Sequence, residues 1–235
     1  YGGFHYNLGR ETFLASVTWE DGWPVVNTGH GKVLEESSAP NLPALQFPSV
    51  PACDNFDQAH LSFIWNFIRT PPDEFYSLSE RPGYVRLKLR PQMVTKWENP
   101  SFVGRRQQHI NFSASTAMEF VPKNENESAG LVLLQNSDFQ FRVECLRSGR
   151  DNVVRLTKRH GGKEETLGEI PAAAKRLYLK VEATGQDYNF YVASVAGEWK
   201  VLREHIDGRT LSRTNAGGFV GTYIGLYASS NGKAS

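Results

Sequence analysis

The residues best equipped for chemistry stand near the two ends of this 235-residue chain. Close to the start, Leu8–Gly9–Arg10–Glu11–Thr12 sets the guanidinium of Arg10 beside the carboxylate of Glu11. Arginine donors form a rigid fork that fixes two oxygens at once. The plain alternative is an Arg10–Glu11 pair that only staples the backbone. His5 and Tyr6 come just before it. Close to the other end, Phe219 lies between Gly218 and Gly221, and such flanking glycines favour a loop with close backbone approach over a core strand. Four tryptophans invite a stacking role. Trp19 and Trp23 flank a turn and suit packing against a neighbouring domain better; Trp97 and Trp199 are the candidates for exposed rings. No His/Cys cluster has zinc spacing, and no Gly-rich phosphate loop, Ser/His/Asp arrangement or nucleotide fingerprint is present.

Composition narrows the classes further. Lys and Arg number 26 against 25 Asp and Glu, a net charge of +1. Nucleic-acid binding needs clustered basic surface, so no nucleic acid is expected as a partner. No apolar stretch reaches the length of a membrane-spanning helix, so no membrane is expected either. Tyr1–Gly2–Gly3–Phe4 has neither the basic nor the apolar region of a signal peptide and does not resemble a natural start. The two cysteines, Cys53 and Cys145, are expected to be free and buried, with a disulfide as the minority reading. Asn111–Phe112–Ser113 and Asn126–Glu127–Ser128 match the glycosylation sequon. Asn111 falls in an expected strand, which leaves Asn126 as the better acceptor.

The elements that must position these residues are strands. Residues 1–26 read as a strand pair, with Phe13–Trp19 leading through Glu20–Asp21–Gly22 into Trp23–Val26. A lone hairpin is marginal in water, so it needs a sheet to join. Residues 27–52, punctuated by Gly29, Gly31, Pro40, Pro43, Pro48 and Pro51, read as a linker wrapping a surface. From residue 53 to 235 the period is two. Apolar residues alternate with polar ones over Leu61–Phe67, Val85–Leu89, Ile110–Phe120, Phe139–Cys145 and Leu177–Val181, and Phe190–Val192 and Tyr223–Ala228 continue the series. Each such strand buries one face. Ala172–Arg176 is the only helix-like stretch and is too short to stand alone. About ten to twelve strands with short turns predict an all-β, antiparallel two-sheet β-sandwich.

The Leu8–Thr12 motif, with Trp19–Glu20–Asp21–Gly22–Trp23–Pro24, resembles the end of the catalytic domain in glycoside hydrolase family 43, the β-xylosidases and α-L-arabinofuranosidases. Trp65–Asn66–Phe67, Pro82–Gly83–Tyr84–Val85–Arg86–Leu87, Phe102–Val103–Gly104–Arg105–Arg106–Gln107 and Gly218–Phe219–Val220–Gly221–Thr222–Tyr223–Ile224–Gly225 are similar to that family's C-terminal concanavalin-like domain. The resemblance implies a concanavalin-like jelly roll over 53–235, a linker over 27–52, and the last piece of a five-bladed β-propeller over 1–26. It implies an inverting glycosidase whose three carboxylates lie upstream of Arg10, so that no catalytic residue falls in this chain and the chain alone is inactive. Inversion needs two carboxyls far enough apart to admit water.

Under this resemblance Arg10 binds the sugar in the pocket, Phe219 reaches over it as an aromatic wall, and His5 lies at the rim. No cofactor is required. A structural calcium, common in such sandwiches, would take hard oxygen ligands from an early strand and the closing strand; Asp54 and Asp57 would supply the early half, and the closing acid is missing from this sequence. The implied partners are the propeller and an arabinoxylan or xylo-oligosaccharide, and the implied location is extracellular. The choice between arabinofuranosidase and xylosidase stays open. Two other readings stand beside the glycosidase: a non-catalytic, lectin-like xylan-binding module, and a purely structural sandwich.

Overall fold

The computed structural model describes residues 5–49, 51–71 and 74–233. It separates into two compact units. One unites the described residues up to Gly9 with those from Asn55 onward, and the other is Arg10–Asp54. Hydrogen bonds hold residues 5–9 within the sandwich, which is therefore discontinuous along the chain.

The Arg10–Asp54 unit holds β1 (Val17–Glu20) and β2 (Trp23–Val26), paired antiparallel from Val17–Val26 to Glu20–Trp23. Asp21 and Gly22 join them with φ of 49° and 82°. Two left-handed residues in a row match the right-handed twist of the flanking strands, which is why Asp-Gly occurs here. The side chains of Thr18 and Thr28 hydrogen-bond beside the hairpin. Trp19 and Trp23 are exposed, as are Phe13, Leu14, Leu42, Leu45 and Phe47.

The sandwich begins with a minor pair, β3 (Tyr76–Ser77) and β4 (Arg86–Leu87). Then follow β5 (Ser101–Arg106), β6 (Phe112–Glu119), β7 (Ser128–Asn136), β8 (Phe139–Ser148), β9 (Asp151–His160) and β10 (Lys163–Pro171). After these come β11 (Arg176–Thr184), β12 (Asp187–Ala193), β13 (Lys200–Asp207) and β14 (Tyr223–Ser229). Six strands form one sheet in the order β10-β9-β8-β7-β14-β5, and four form the other in the order β13-β12-β11-β6. The ten strands of these two sheets pair antiparallel throughout. Between the sheets lies the core of Leu131, Leu133, Phe141, Val143, Leu156, Leu177, Leu179, Val181 and Phe190. The alternation in β11 is complete: Leu177, Leu179, Val181 and Ala183 are buried while Tyr178, Lys180 and Glu182 are half-exposed.

Strand β8 is more than an alternating strand. Phe141, Val143 and Cys145 face the core as expected, but Gln140, Arg142 and Glu144 on the other face are buried too. The irregular segment before β5 covers part of that face. There Val94 packs with Phe102, Val132, Leu134 and Tyr227, and its backbone N–H donates to the Tyr227 hydroxyl at 3.2 Å. Farther along, Arg142 donates to Glu144 at 2.9 Å and to Glu164 at 3.0 Å, and Ser128 donates to Glu144 at 2.8 Å. Burial works against the Arg142 charge, but Glu144 and Glu164 outweigh it and hold the guanidinium more firmly protonated than usual.

Several sequence expectations fail for local reasons. Leu61–Phe67 is a chain of turns rather than a strand. Trp65 N–H closes a turn on Ser62 O, the Asn66 side chain caps Ile64 O, and only a single bridge joins Asn66 to Gly104. The Val85–Leu89 strand shrinks to Arg86–Leu87. Ala172–Arg176 forms no helix, in keeping with its shortness; among the described residues the helical turns are a 3₁₀ turn at Gly208–Leu211 and α1 at Arg213–Ala216, capped by the side chains of Asp207 and Ser212. Cys145 is free and buried, and burial pushes its thiol up to about 11. Cys53 is exposed rather than buried, because it lies in the thinly packed Arg10–Asp54 unit instead of on an inward strand face. Asn111 sits just before β6, where its side-chain oxygen accepts from Gly185 N–H at 2.7 Å. Asn126 is half-buried and donates to Ser230 O at 2.9 Å.

Candidate functional site

One end of the sandwich is closed by the strap of residues 5–9. Its Asn7 amide is buried, donating to the Tyr188 hydroxyl at 3.0 Å and to Gly208 O at 3.0 Å, and accepting from Gln186 at 3.2 Å. The Tyr188 hydroxyl donates onward to Gln107. Burial pushes this phenol up, and its hydrogen bonds to Asn7 and Gln107 offset part of the rise. The Asn7 backbone oxygen accepts from Thr222 N–H at 2.7 Å, and the Tyr6 oxygen accepts from Arg213 N–H at 2.9 Å. Arg106 donates to Leu8 O at 2.9 Å. Polar groups buried at this depth must be paired, and the strap supplies the partners.

The strap crosses the chain leading into β14 without room to spare. Gly9 bridges Val220, and a β-carbon at Gly9 would fall 2.4 Å from Gly221 N. A β-carbon at Gly221 would fall 2.2 Å from Leu8 O. Close backbone approach, inferred from the glycines around Phe219, is thus what Gly221 serves.

Between α1 and β14 lies a loop with Gly217 and Gly218 both at φ 74°. Phe219 follows them and is 60 % exposed, so it is no core residue. The Arg213 guanidinium carbon stands 5.4 Å from the centre of its ring, and Arg213 Nε donates to Gly218 O at 2.7 Å. From β7, Asn136 donates to Ala216 O at 3.1 Å and Gln135 to Val220 O at 2.9 Å.

The other expected site residues are less concentrated. His5 belongs to the strap: its Nδ1 is 3.1 Å from Ser212 Oγ and its backbone oxygen accepts from Gln186. Tyr6 is half-exposed. Arg10 opens the other unit and is exposed. Trp97 is exposed with Arg69 over its ring at 4.0 Å; Trp199 is half-buried with the Lys180 ammonium at 4.6 Å. Asp57 is exposed and accepts from Gln58. Asp54 and Asp57 fall in different units, and the described residues contain no group of three or more His, Cys, Asp or Glu side chains able to hold a metal.

A separate groove of about 260 Å³ lies on the outer face of the six-stranded sheet, lined by Ser128, Arg142, Glu144, Arg155 and Glu164 among others. Arg142 donates there to Glu144 and Glu164, and Arg155 donates to Glu169. Sequence reasoning missed Asn7, Gln186, Tyr188 and Arg213. Nothing local marks them, since Asn7 and Tyr188 meet across 181 positions.

The fold and the loop define a concanavalin-like sandwich of the kind that ends β-xylosidases: the family described as "Beta xylosidase C-terminal Concanavalin A-like domain" matches residues 53–235. The chain belongs to glycoside hydrolase family 43. It is 40% identical over 237 residues to the non-reducing end α-L-arabinofuranosidase BoGH43B of Bacteroides ovatus, covering 99% of this chain and 44% of that protein. It is 38% identical to a xylosidase/arabinosidase of Butyrivibrio fibrisolvens, covering 97% and 44%. Among solved structures, a xylan β-1,4-xylosidase of Bacillus halodurans superposes with a TM-score of 0.91 at 29% identity, covering 98% of this chain and 46% of that one. The chain thus spans less than half the length of the curated relatives it matches.

Proposed function

We propose that this chain is the C-terminal portion of an inverting glycosidase that removes arabinofuranosyl or xylosyl units from arabinoxylan or xylo-oligosaccharides. The catalytic carboxylates belong to an upstream propeller, and the chain by itself is inactive. Arg10 holds the sugar through its forked donors, and Phe219 lends an apolar wall that excludes water and packs on a sugar face. The exposed tryptophans and leucines of the Arg10–Asp54 unit are the surface that the propeller covers.

The observation that carries this reading is Phe219. Phe219 stands 60 % exposed on a glycine-flanked loop that is tied down on both sides, an arrangement that supports a ring presented toward a ligand. The test is the full-length enzyme on aryl α-L-arabinofuranosides and β-D-xylosides. Arg10→Ala is expected to lower kcat/KM by about a hundredfold, the scale of two lost charged hydrogen bonds. Phe219→Ala is expected to lower it about tenfold. Wild-type kcat/KM in both variants would refute the assignment. Retardation of the isolated chain on an arabinoxylan gel, with no glycosidase activity in the full-length protein, would favour a xylan-binding module instead.

A further inference from the structure

We propose that Arg213 is the positioning residue that aims Phe219. This rests on the reading of Phe219 as a wall of the sugar pocket. Two consecutive glycines, Gly217 and Gly218, precede the ring, and both lie in the left-handed region at φ 74°. Such a pair is a pivot: without a β-carbon, neither residue resists rotation. The two sides of the pivot are well anchored. On one side, Arg213 N–H is held by Tyr6 O, and Asn136 holds Ala216 O. On the other, Val220 bridges Gly9 and accepts from Gln135.

Arg213 spans the pivot. Its backbone is fixed to the strap on the near side, and its carbonyl accepts from Gly217 N–H at 2.8 Å. Its side chain then passes the glycines: Nε takes Gly218 O at 2.7 Å, and the guanidinium lies against the Phe219 ring at 5.4 Å. One side chain therefore restrains both the peptide that swings and the ring that the swing would move. A guanidinium suits the task because its plane stacks on an aromatic face while its edge still donates. Arg213 touches no substrate in this account. It sets the direction in which Phe219 points.

A wall that contacts the sugar equally in ground and transition states acts on KM more than on kcat. In the full-length enzyme, Arg213→Met is expected to raise KM about three- to tenfold with kcat nearly unchanged, the scale of one cation–π contact and one hydrogen bond. Arg213→Lys keeps a cation near the ring and should recover part of the loss. Phe219→Ala should raise KM at least as much, and the double variant should be no worse than Phe219→Ala alone. Circular dichroism and thermal unfolding of each variant check that it is folded, and Arg213→Lys serves should Arg213→Met fail to fold. Three results overturn the proposal: wild-type KM in a folded Arg213 variant, a full additive loss in the double variant, or a drop confined to kcat. Should Phe219→Ala itself leave KM and kcat untouched, the pocket-wall reading falls and this inference falls with it. Should Phe219→Ala impair the enzyme while Arg213 variants do not, only the inference falls.

Discussion

Replacing Gly221 by alanine should loosen the sandwich more than any ordinary Gly→Ala change. The added β-carbon would sit 2.2 Å from Leu8 O and 2.4 Å from Leu8 C, both backbone atoms. Neither is the tip of a flexible side chain, so the strap or the β14 lead-in must shift by more than an ångström to restore ordinary contact. That shift works against the Gly9–Val220 bridge, the 2.7 Å bond from Thr222 N–H to Asn7 O, and the 2.9 Å bond from Arg106 to Leu8 O. Each net hydrogen bond contributes about 1 kcal/mol, and a buried group left unpaired costs about 1–3 kcal/mol more. Thr222 is fully buried, so its N–H has no water to turn to. The expected loss is about 3–5 kcal/mol, or roughly a 10 °C fall in the sandwich's Tm at this size. Differential scanning calorimetry reads it. The control is Gly149→Ala, where φ is 61° but nothing lies within 4 Å of the new carbon, so only backbone strain of about 1 kcal/mol is expected. Equal Tm losses in the two variants would show that the crossing at Gly221 is not tight, and the reasoning from the strap would be wrong.

Asn7→Ala should cost about 2–4 kcal/mol in urea unfolding, because it strands the Tyr188 hydroxyl side of the network and leaves Gly208 O unpaired; a loss under about 0.5 kcal/mol would contradict the account of the strap. Glu119 is held down to about 2 by hydrogen bonds from Arg81 and then Arg176. A depressed carboxylate stabilises the fold above its ordinary value near 4.5 and loses that contribution as pH falls toward 2. Glu119→Gln should therefore show a flatter stability profile between pH 4.5 and pH 2, and identical slopes would argue against the pairing. A thiol reagent at pH 8 should titrate Cys53 alone in the native protein and both cysteines in denaturant, and rapid native reaction of two thiols would show that Cys145 is reached.

The large strands were legible because their chemistry is local. Leu177, Leu179 and Val181 alternate with polar residues, and the pleat turns that alternation directly into a buried face. The family motifs were legible for a different reason: they are short strings in a fixed order. What escaped was set by distant partners. Leu61–Phe67 alternates as cleanly as β11, yet no strand lies beside it except Gly104, so it turns instead of pairing. Gln140, Arg142 and Glu144 read as solvent-facing and are buried, because the segment around Val94 and the side chain of Glu164 cover them. At the candidate site, the family resemblance pointed to Phe219, and its flanking glycines to a loop. Asn7 and Arg213 could not be picked out, since an asparagine and an arginine in polar stretches carry no sign that each meets a partner some two hundred positions away.

The strap also bears on where this module can be cut. A cassette cut where the family match begins, at residue 53, would leave behind the five residues that plug the far end of the sandwich. The transplanted piece would carry an open slot, with the Tyr188 hydroxyl, Gly208 O and Thr222 N–H facing it and no native chain to fill it. The sandwich keeps those buried groups paired only when residues 5–9 accompany it.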